Sequence, residues 1–249
     1  MQVGFKSDKG LRRDNNEDAC FILPKENVYV IADGVGGGNA GEIASRTAVK
    51  EIANYIKDTP ANDLEDKYQI VEYLHDCLTN ANKKIYTLSN TYEKNKGMAT
   101  TAIIFFARKG KAYVANVGDS RVYIFRGEKL SQLTEDHTYV NTLVKAGILS
   151  KEQAEVDERK NMITRALGAE YTVEPDFFQL DVVEGDIFII CTDGLYDEVG
   201  KSEIINIVKK EESMSEICKD LVECANQNGG HDNITVICLK VTEEDVHEQ

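Results

Sequence analysis

The chain has 249 residues, with 29 Lys and Arg against 43 Asp and Glu, a formal net charge of −14. That imbalance excludes a nucleic-acid-binding face and a polybasic membrane surface, since both need clustered cations. With 42% apolar and 29% charged residues and only three prolines, the chain is globular and long enough to build a sizeable core.

No segment reaches the ~18 apolar residues of a membrane helix, and the first residues carry no apolar signal segment, so a cytoplasmic protein is expected. The six cysteines (Cys20, Cys77, Cys191, Cys218, Cys224 and Cys238) show no CxxC and no zinc-finger spacing. Most sit in apolar runs, which suits buried, reduced thiols.

In chain order, strands are predicted at Ala19–Leu23 and Val28–Ala32, then helices at Gly41–Lys57 and Leu64–Leu88. The first helix places Ala44, Ala48, Ile52, Tyr55 and Ile56 on one face. The second aligns Leu74, Cys77, Leu78, Ala81, Ile85 and Leu88. Strands follow at Ala102–Ala107, Ala112–Val117 and Val122–Arg126, the last two read as a hairpin turning at Gly118-Asp119-Ser120. The charge-dense stretch Glu135–Glu170 has weak helical signals and reads as a surface excursion or a flap. Beyond it come strands at Phe177–Asp181 and Ile187–Thr192. Helices at Ser202–Lys209 and Met214–Gln227 follow, the latter with Ile217, Leu221, Cys224 and Ala225 inward, and then a strand at Ile234–Val241. Two helix pairs separated by many strands predict an α+β fold, a central antiparallel β-sandwich with a helix pair outside each sheet.

The acidic residues fall at informative places. Buried strands end at Asp33-Gly34 and at Asp193-Gly194, Asp232 immediately precedes another strand, and Asp119 occupies a turn. Any single Asp-Gly reads first as a turn dipeptide. Three carboxylates meeting at one mouth of a sandwich would repel unless cations neutralised them, and oxygen donors favour Mg²⁺ or Mn²⁺. The glycine-rich Gly34–Gly41 matches neither GxxxxGK[ST] nor a dinucleotide fingerprint, and reads equally as a strand-to-helix turn. Arg13 lies among acids and could offer a planar fork to a phosphoryl oxygen or form a surface ion pair. His231 adjoins Asp232 and His137 opens the charge-dense stretch; each suits either a chemical or a structural hydrogen bond. No GxSxG and no CxxxxxR loop supports covalent catalysis.

Taken in order, RRDNNEDA (Arg12–Ala19), VIADGVGGGNAGEIAS (Val30–Ser45), GMATTA (Gly97–Ala102), ANVGDSRVY (Ala115–Tyr123), ITRALG (Ile163–Gly168), CTDGLYD (Cys191–Asp197) and GGHDNIT (Gly229–Thr235) resemble the metal-dependent protein phosphatases, the type 2C serine/threonine family, in its short bacterial form. The likeness covers nearly the whole chain. It implies a single catalytic domain over 1–249 with a flap at about 135–170, holding two Mn²⁺ or Mg²⁺ ions and accommodating a third. By this resemblance Asp33 bridges both ions, Gly34 ligates one through its carbonyl, and Asp193 and Asp232 hold the other. Glu17 and Asp18 orient metal-bound waters, Arg13 grips the substrate phosphate, and Asp119 with Asp193 or Asp197 forms the third site. A metal-bridged water would attack phosphorus, and the leaving group would be a serine or threonine oxygen. The implied partners are phosphorylated proteins and an opposing serine/threonine kinase, with the phosphatase a monomer. Where eukaryotic members place a proposed acid histidine after the Asp-Gly pair, this chain has Val35, so the leaving group's proton must come from elsewhere. A pseudo-enzyme would be signalled by loss of a metal-binding Asp, and none is lost. A hydrolase of small phosphoesters would depend on what the flap admits.

Overall fold

The computed structural model describes residues 1–36, 40–61, 64, 66–210 and 212–247. Its elements run β1 Gln2–Asp8, β2 Asp18–Leu23, β3 Val28–Val35, α1 Ala40–Asp58, α2 Lys67–Thr91, β4 Ala99–Thr100, β5 Ala102–Arg108, β6 Lys111–Val117, β7 Arg121–Arg126 and β8 Lys129–Gln132. They continue α3 Tyr139–Lys145, α4 Lys151–Glu155, β9 Asp176–Asp181, β10 Ile187–Cys191, α5 Asp193–Tyr196, α6 Lys201–Val208, α7 Met214–Asn228, β11 Ile234–Lys240 and α8 Glu243–His247. One sheet has the order β1-β11-β10-β7-β8; the other is β2-β3-β5-β6-β9, with β4 pairing on β3.

Alternation along the strands builds the layers. On β3, Tyr29 and Ile31 point into the space between the sheets, where they meet Ile103, Phe105, Val114, Phe188, Ile190 and Ile237. Phe105 and Phe188 close the seam from opposite sheets, with ring centroids 4.8 Å apart, a contact worth about 0.5–1.5 kcal/mol beyond area burial. The alternate residues Val28, Val30 and Ala32 face outward and pack on Ala44, Ala48, Ile52, Leu74, Leu78 and Ile85 of α1 and α2. On the other sheet Ile189, Cys191, Val236 and Cys238 pack on Ile204, Ile217, Leu221 and Ala225 of α6 and α7. Three apolar cores therefore separate four layers, as the sequence pattern predicts. Helix starts are fixed locally: Asp66 accepts the amides of Tyr68 (2.8 Å) and Gln69 (3.0 Å), and Ser213 accepts that of Glu216 (3.3 Å).

Several expectations need correction. β6 and β7 are not a hairpin. β6 lies between β5 and β9 in one sheet, while β7 lies between β10 and β8 in the other. Residues 118–120 carry the chain from sheet to sheet, and both backbone polar groups of Gly118 (φ 105°) bond His137 rather than a strand partner. β1 and β8 carry no apolar alternation: β1 buries only Gly4, and β8 reads KLSQ along a sheet edge. On α7, Cys224 packs half-buried against the core beside Glu203, and Cys218 and Val222 join the expected Ile217, Leu221 and Ala225 within it. All six cysteines are free thiols, four of them buried. Of the glycine-rich loop, Gly37, Gly38 and Asn39 lie outside the described residues. Among the described residues, no helix is long and apolar enough to cross a membrane.

Candidate active site

Strand direction gathers the acidic residues. Asp18 at the start of β2 pairs in register with Asp33 near the end of β3. Asp193 follows β10 by two residues, Asp232 precedes β11 by two, and Asp119 precedes β7 by two. Cys191, the last residue of β10, pairs with both Arg121 and Val236. Antiparallel pairing therefore puts all three turns at the same end of that sheet, and the register of β2 and β3 supplies the other two carboxylates.

Their electrostatics show the convergence. Burial, reinforced by Asp18, Asp193, Asp119 and Asp232, holds the Asp33 carboxyl well above the usual range. Asp18 is pushed up to about 7, chiefly by burial and then by Asp193 and Asp232, against hydrogen bonds from Thr235 and Thr192. Asp119 also rises to about 7 through burial and its neighbours Asp193 and Asp136. Asp193 rises to about 6, from burial with Asp232 and Asp197, opposed by a side-chain hydrogen bond with Asp33. Asp18, Asp33, Asp119 and Asp193 are thus all raised with neighbouring carboxylates among the causes, the arrangement that a bound cation relieves.

Asp33, Asp18 and Asp232 are held by defined partners. The Asp33 amide donates to Thr101 Oγ1 (3.0 Å), and Thr100 Oγ1 donates back to the Asp33 carbonyl (2.7 Å). Thr192 Oγ1 donates to Asp18 Oδ2 (3.0 Å). Asp232 Oδ1 accepts the Asn233 amide (2.8 Å), and its Oδ2 accepts Arg13 Nη2 (2.6 Å). The Oδ1 atoms of Asp18 and Asp193 are buried with no hydrogen-bond partner among the described residues. Two orphaned, buried carboxylate oxygens are costly in a metal-free protein and fit oxygen ligation of a hard cation. The same end is built for close approach: a Cβ on Gly34 would overlap the Gly41 backbone, and one on Gly194 the Asn233 carbonyl. Among the described residues, no three His, Cys, Asp or Glu are set as a finished ligand shell for one ion.

The other expected residues divide. Arg13 is half-exposed, and among the described residues its Nη1 has no partner. Glu17 accepts Asn15 Nδ2 on Oε1 (3.2 Å), and its carbonyl accepts the Gly34 amide (3.2 Å). Asp197 points to the flap, accepting Lys160 Nζ (3.0 Å) and Asn161 Nδ2 (3.1 Å). His231 gives Nδ1 to Glu198 at 2.6 Å and is largely exposed, while Val35 is 42% exposed and offers no proton. His137 is buried, its Nδ1 accepting the Gly118 amide (3.0 Å), and burial lowers its pKa. It caps the crossover, which leaves that nitrogen no role as a proton shuttle.

Sequence reasoning missed Asn233. Its Nδ2 donates to the carbonyls of Lys9 and Asn15 (both 2.9 Å), and its Oδ1 accepts the Glu17 amide (2.8 Å). One buried amide ties the loop bearing Arg13 to the start of β11. The available signal was its place directly after Asp232, a polar residue at the mouth of an apolar strand.

The chain matches the family model described as protein phosphatase 2C over residues 5–234. It is 37% identical over 243 residues to the serine/threonine phosphatase stp of Listeria welshimeri, covering 96% of each chain. Among solved structures it resembles the Streptococcus agalactiae serine/threonine phosphatase, with TM-score 0.89, 34% identity, and 96% and 99% of the two chains covered. It also resembles the catalytic domain of the phosphatase PstP in complex with two manganese ions, with TM-score 0.85, 31% identity, and 97% and 98% covered. The motifs, the two-sheet architecture and a match over most of the chain agree: the chain belongs to the protein phosphatase 2C family of metal-dependent serine/threonine phosphatases.

Proposed function

We propose that this chain hydrolyses phosphoserine and phosphothreonine on proteins, acting as one catalytic domain over residues 1–249 and reversing a serine/threonine kinase. The observation that carries the reading is the meeting of Asp18, Asp33, Asp119, Asp193 and Asp232 at one end of the sandwich, two of them with orphaned oxygens. Asp33 would serve two ions, the Gly34 carbonyl one of them, and Asp193 with Asp232 the other. Asp119 with Asp193 or Asp197 would serve a third. Bound there, Mn²⁺ or Mg²⁺ supplies an acidified water and neutralises phosphoryl charge, as in other two-metal phosphoryl transfers.

The chain's own residues do the rest. Arg13 stands at the rim with Nη1 available, and its planar fork suits two phosphoryl oxygens at once. Asp18 is kept from rotating by Thr192 Oγ1, so its second oxygen stays aimed into the cluster. Glu17 is fixed through its backbone at both ends, by Asn233 and by Gly34, which orients its carboxylate beside the metal-binding strand end. Most of the acceleration in such a reaction comes from positioning and charge stabilisation, and every one of these contacts is positional.

The test is release of phosphate from a phosphothreonine peptide, with Mn²⁺ and with chelator, on the wild type and on Asp193→Ala. Release that needs Mn²⁺ and falls at least ~100-fold in the variant is expected, the scale of losing one charge-stabilising group. Undiminished release in chelator, or a variant as active as the wild type, refutes the reading.

A further inference from the structure

The Asp119 crossover is anchored at three successive residues. His137 brackets Gly118, Thr101 Oγ1 meets Ser120 Oγ (2.8 Å), and the Tyr196 hydroxyl donates to the carbonyl of Asp119 itself (3.0 Å). Tyr196 differs from the other two in where it comes from. It closes the single turn α5 that Asp193 opens, three residues away and therefore on the same face. One side chain thus spans the two segments that carry Asp193 and Asp119.

The ring is not free to swing. The Arg121 guanidinium lies over it, with Cζ 3.4 Å from the centroid. Arg121 is in turn clamped to Asp136 through Nε (3.0 Å) and Nη2 (2.6 Å), and to the Tyr123 hydroxyl through Nη1 (2.9 Å). A guanidinium held by both Asp136 and Tyr123 and stacked on the ring fixes the ring's plane, and with it the point at which the hydroxyl meets the Asp119 backbone.

We propose that Tyr196 is a positioning residue: its hydroxyl sets the separation of Asp119 from Asp193, so that the two carboxylates can share one divalent cation. This rests on the third ion site of the proposed function. Tyr196 touches neither substrate nor the reacting atoms. It acts through the backbone of Asp119, and it ties the geometry of that turn to α5.

Tyr196→Phe removes one hydroxyl and keeps the ring under Arg121, so the fold survives. Free Mn²⁺ is read by electron paramagnetic resonance during titration of the whole chain, for wild type, Tyr196→Phe, Asp119→Ala and the double variant, each with a thermal melt. In Tyr196→Phe the weakest Mn²⁺ step is expected to weaken roughly three- to ten-fold, the scale of one hydrogen bond, with the tighter steps unchanged and the melting temperature lowered by no more than about 2–4 °C, the share of that one bond. In the Asp119→Ala background, Tyr196→Phe should cause no further loss, in Mn²⁺ binding or in phosphopeptide turnover. An unaltered weakest step overturns the proposal, as does equal weakening of every step with a larger fall in melting temperature, or additive losses in the double variant. A wild type that binds no Mn²⁺ and releases no phosphate defeats the underlying reading instead, so the two failures are distinct.

Discussion

Replacing Asn233 with alanine tests whether the site depends on one buried amide. The side chain is 5% exposed and makes three hydrogen bonds, two to carbonyls and one from an amide, across more than 200 residues of sequence. Truncation leaves the Lys9 and Asn15 carbonyls and the Glu17 amide to find other partners. At about 0.5–1.5 kcal/mol per bond, with part of the loss recovered by water entering the loop, the cost is about 2–4 kcal/mol. For a domain of this size that is a fall in Tm of roughly 5–10 °C. The loop freed is the one bearing Arg13, Glu17 and Asp18, so kcat/KM on a phosphopeptide should fall further than stability alone explains, even well below the new Tm. Urea unfolding and steady-state kinetics at 20 °C read the two effects separately. Asn233→Asp keeps the acceptor for Glu17 but loses both donors and adds charge beside Asp232, so it should be no better than alanine. A loss under about 0.5 kcal/mol with unchanged kinetics would refute the assignment.

Two further outcomes follow from the carboxylates and the arginine. The raised values of Asp18, Asp119 and Asp193 mean that the metal-free fold binds protons the unfolded chain releases, so their contribution is full below pH 3.8 and is lost as pH rises toward about 7. In chelator, Asp33→Asn should match wild-type stability near pH 4 and exceed it at pH 7, while abolishing Mn²⁺-dependent turnover; melts across that range showing no widening gap would contradict it. Arg13→Ala should raise KM for phosphopeptide with Mn²⁺ affinity near normal, and Arg13→Lys should recover only part, because a point charge does not reproduce a planar fork. Unchanged KM and kcat in both would return Arg13 to an ordinary rim ion pair with Asp232.

What could be read from the sequence was whatever one strand or helix determines by itself. The runs IFIIC and AIIFFA are apolar on both faces and proved to be strands covered on both sides. The 3.6-residue stripe of α2 predicted Leu74, Cys77, Leu78, Ala81, Ile85 and Leu88 as core; the first five are buried and Leu88 packs half-buried against the same core. What failed depended on partners remote in sequence. The β6–β7 connection has the composition of a hairpin turn, yet its outcome is set by His137, nineteen residues on, which occupies both polar groups of Gly118. β1 is a strand because β11 offers it an edge from Gln2↔Lys240 to Asp8↔Ile234, and nothing in QVGFKSD alternates.

The acids themselves were legible because they stand where apolar register stops, and the same fact explains how the fold tolerates them. A one-residue slip of β3 against β2 would part Asp33 from Asp18, and it would also turn Tyr29 and Ile31 out of the sandwich core and Val28 and Val30 away from α1. Each of those side chains contributes about 1.5–3 kcal/mol by its burial, so four misplaced together outweigh the relief that separating two carboxylates would give. The cores on both faces of the sheet therefore hold mutually repelling groups together. The repulsion remains as a ready affinity for divalent metal, and the glycines at 34 and 194 supply the close backbone approach that lets strand end and neighbouring loop meet there. The chemistry sits at the end of the sandwich where packing on both faces of the sheet fixes the carboxylates in place.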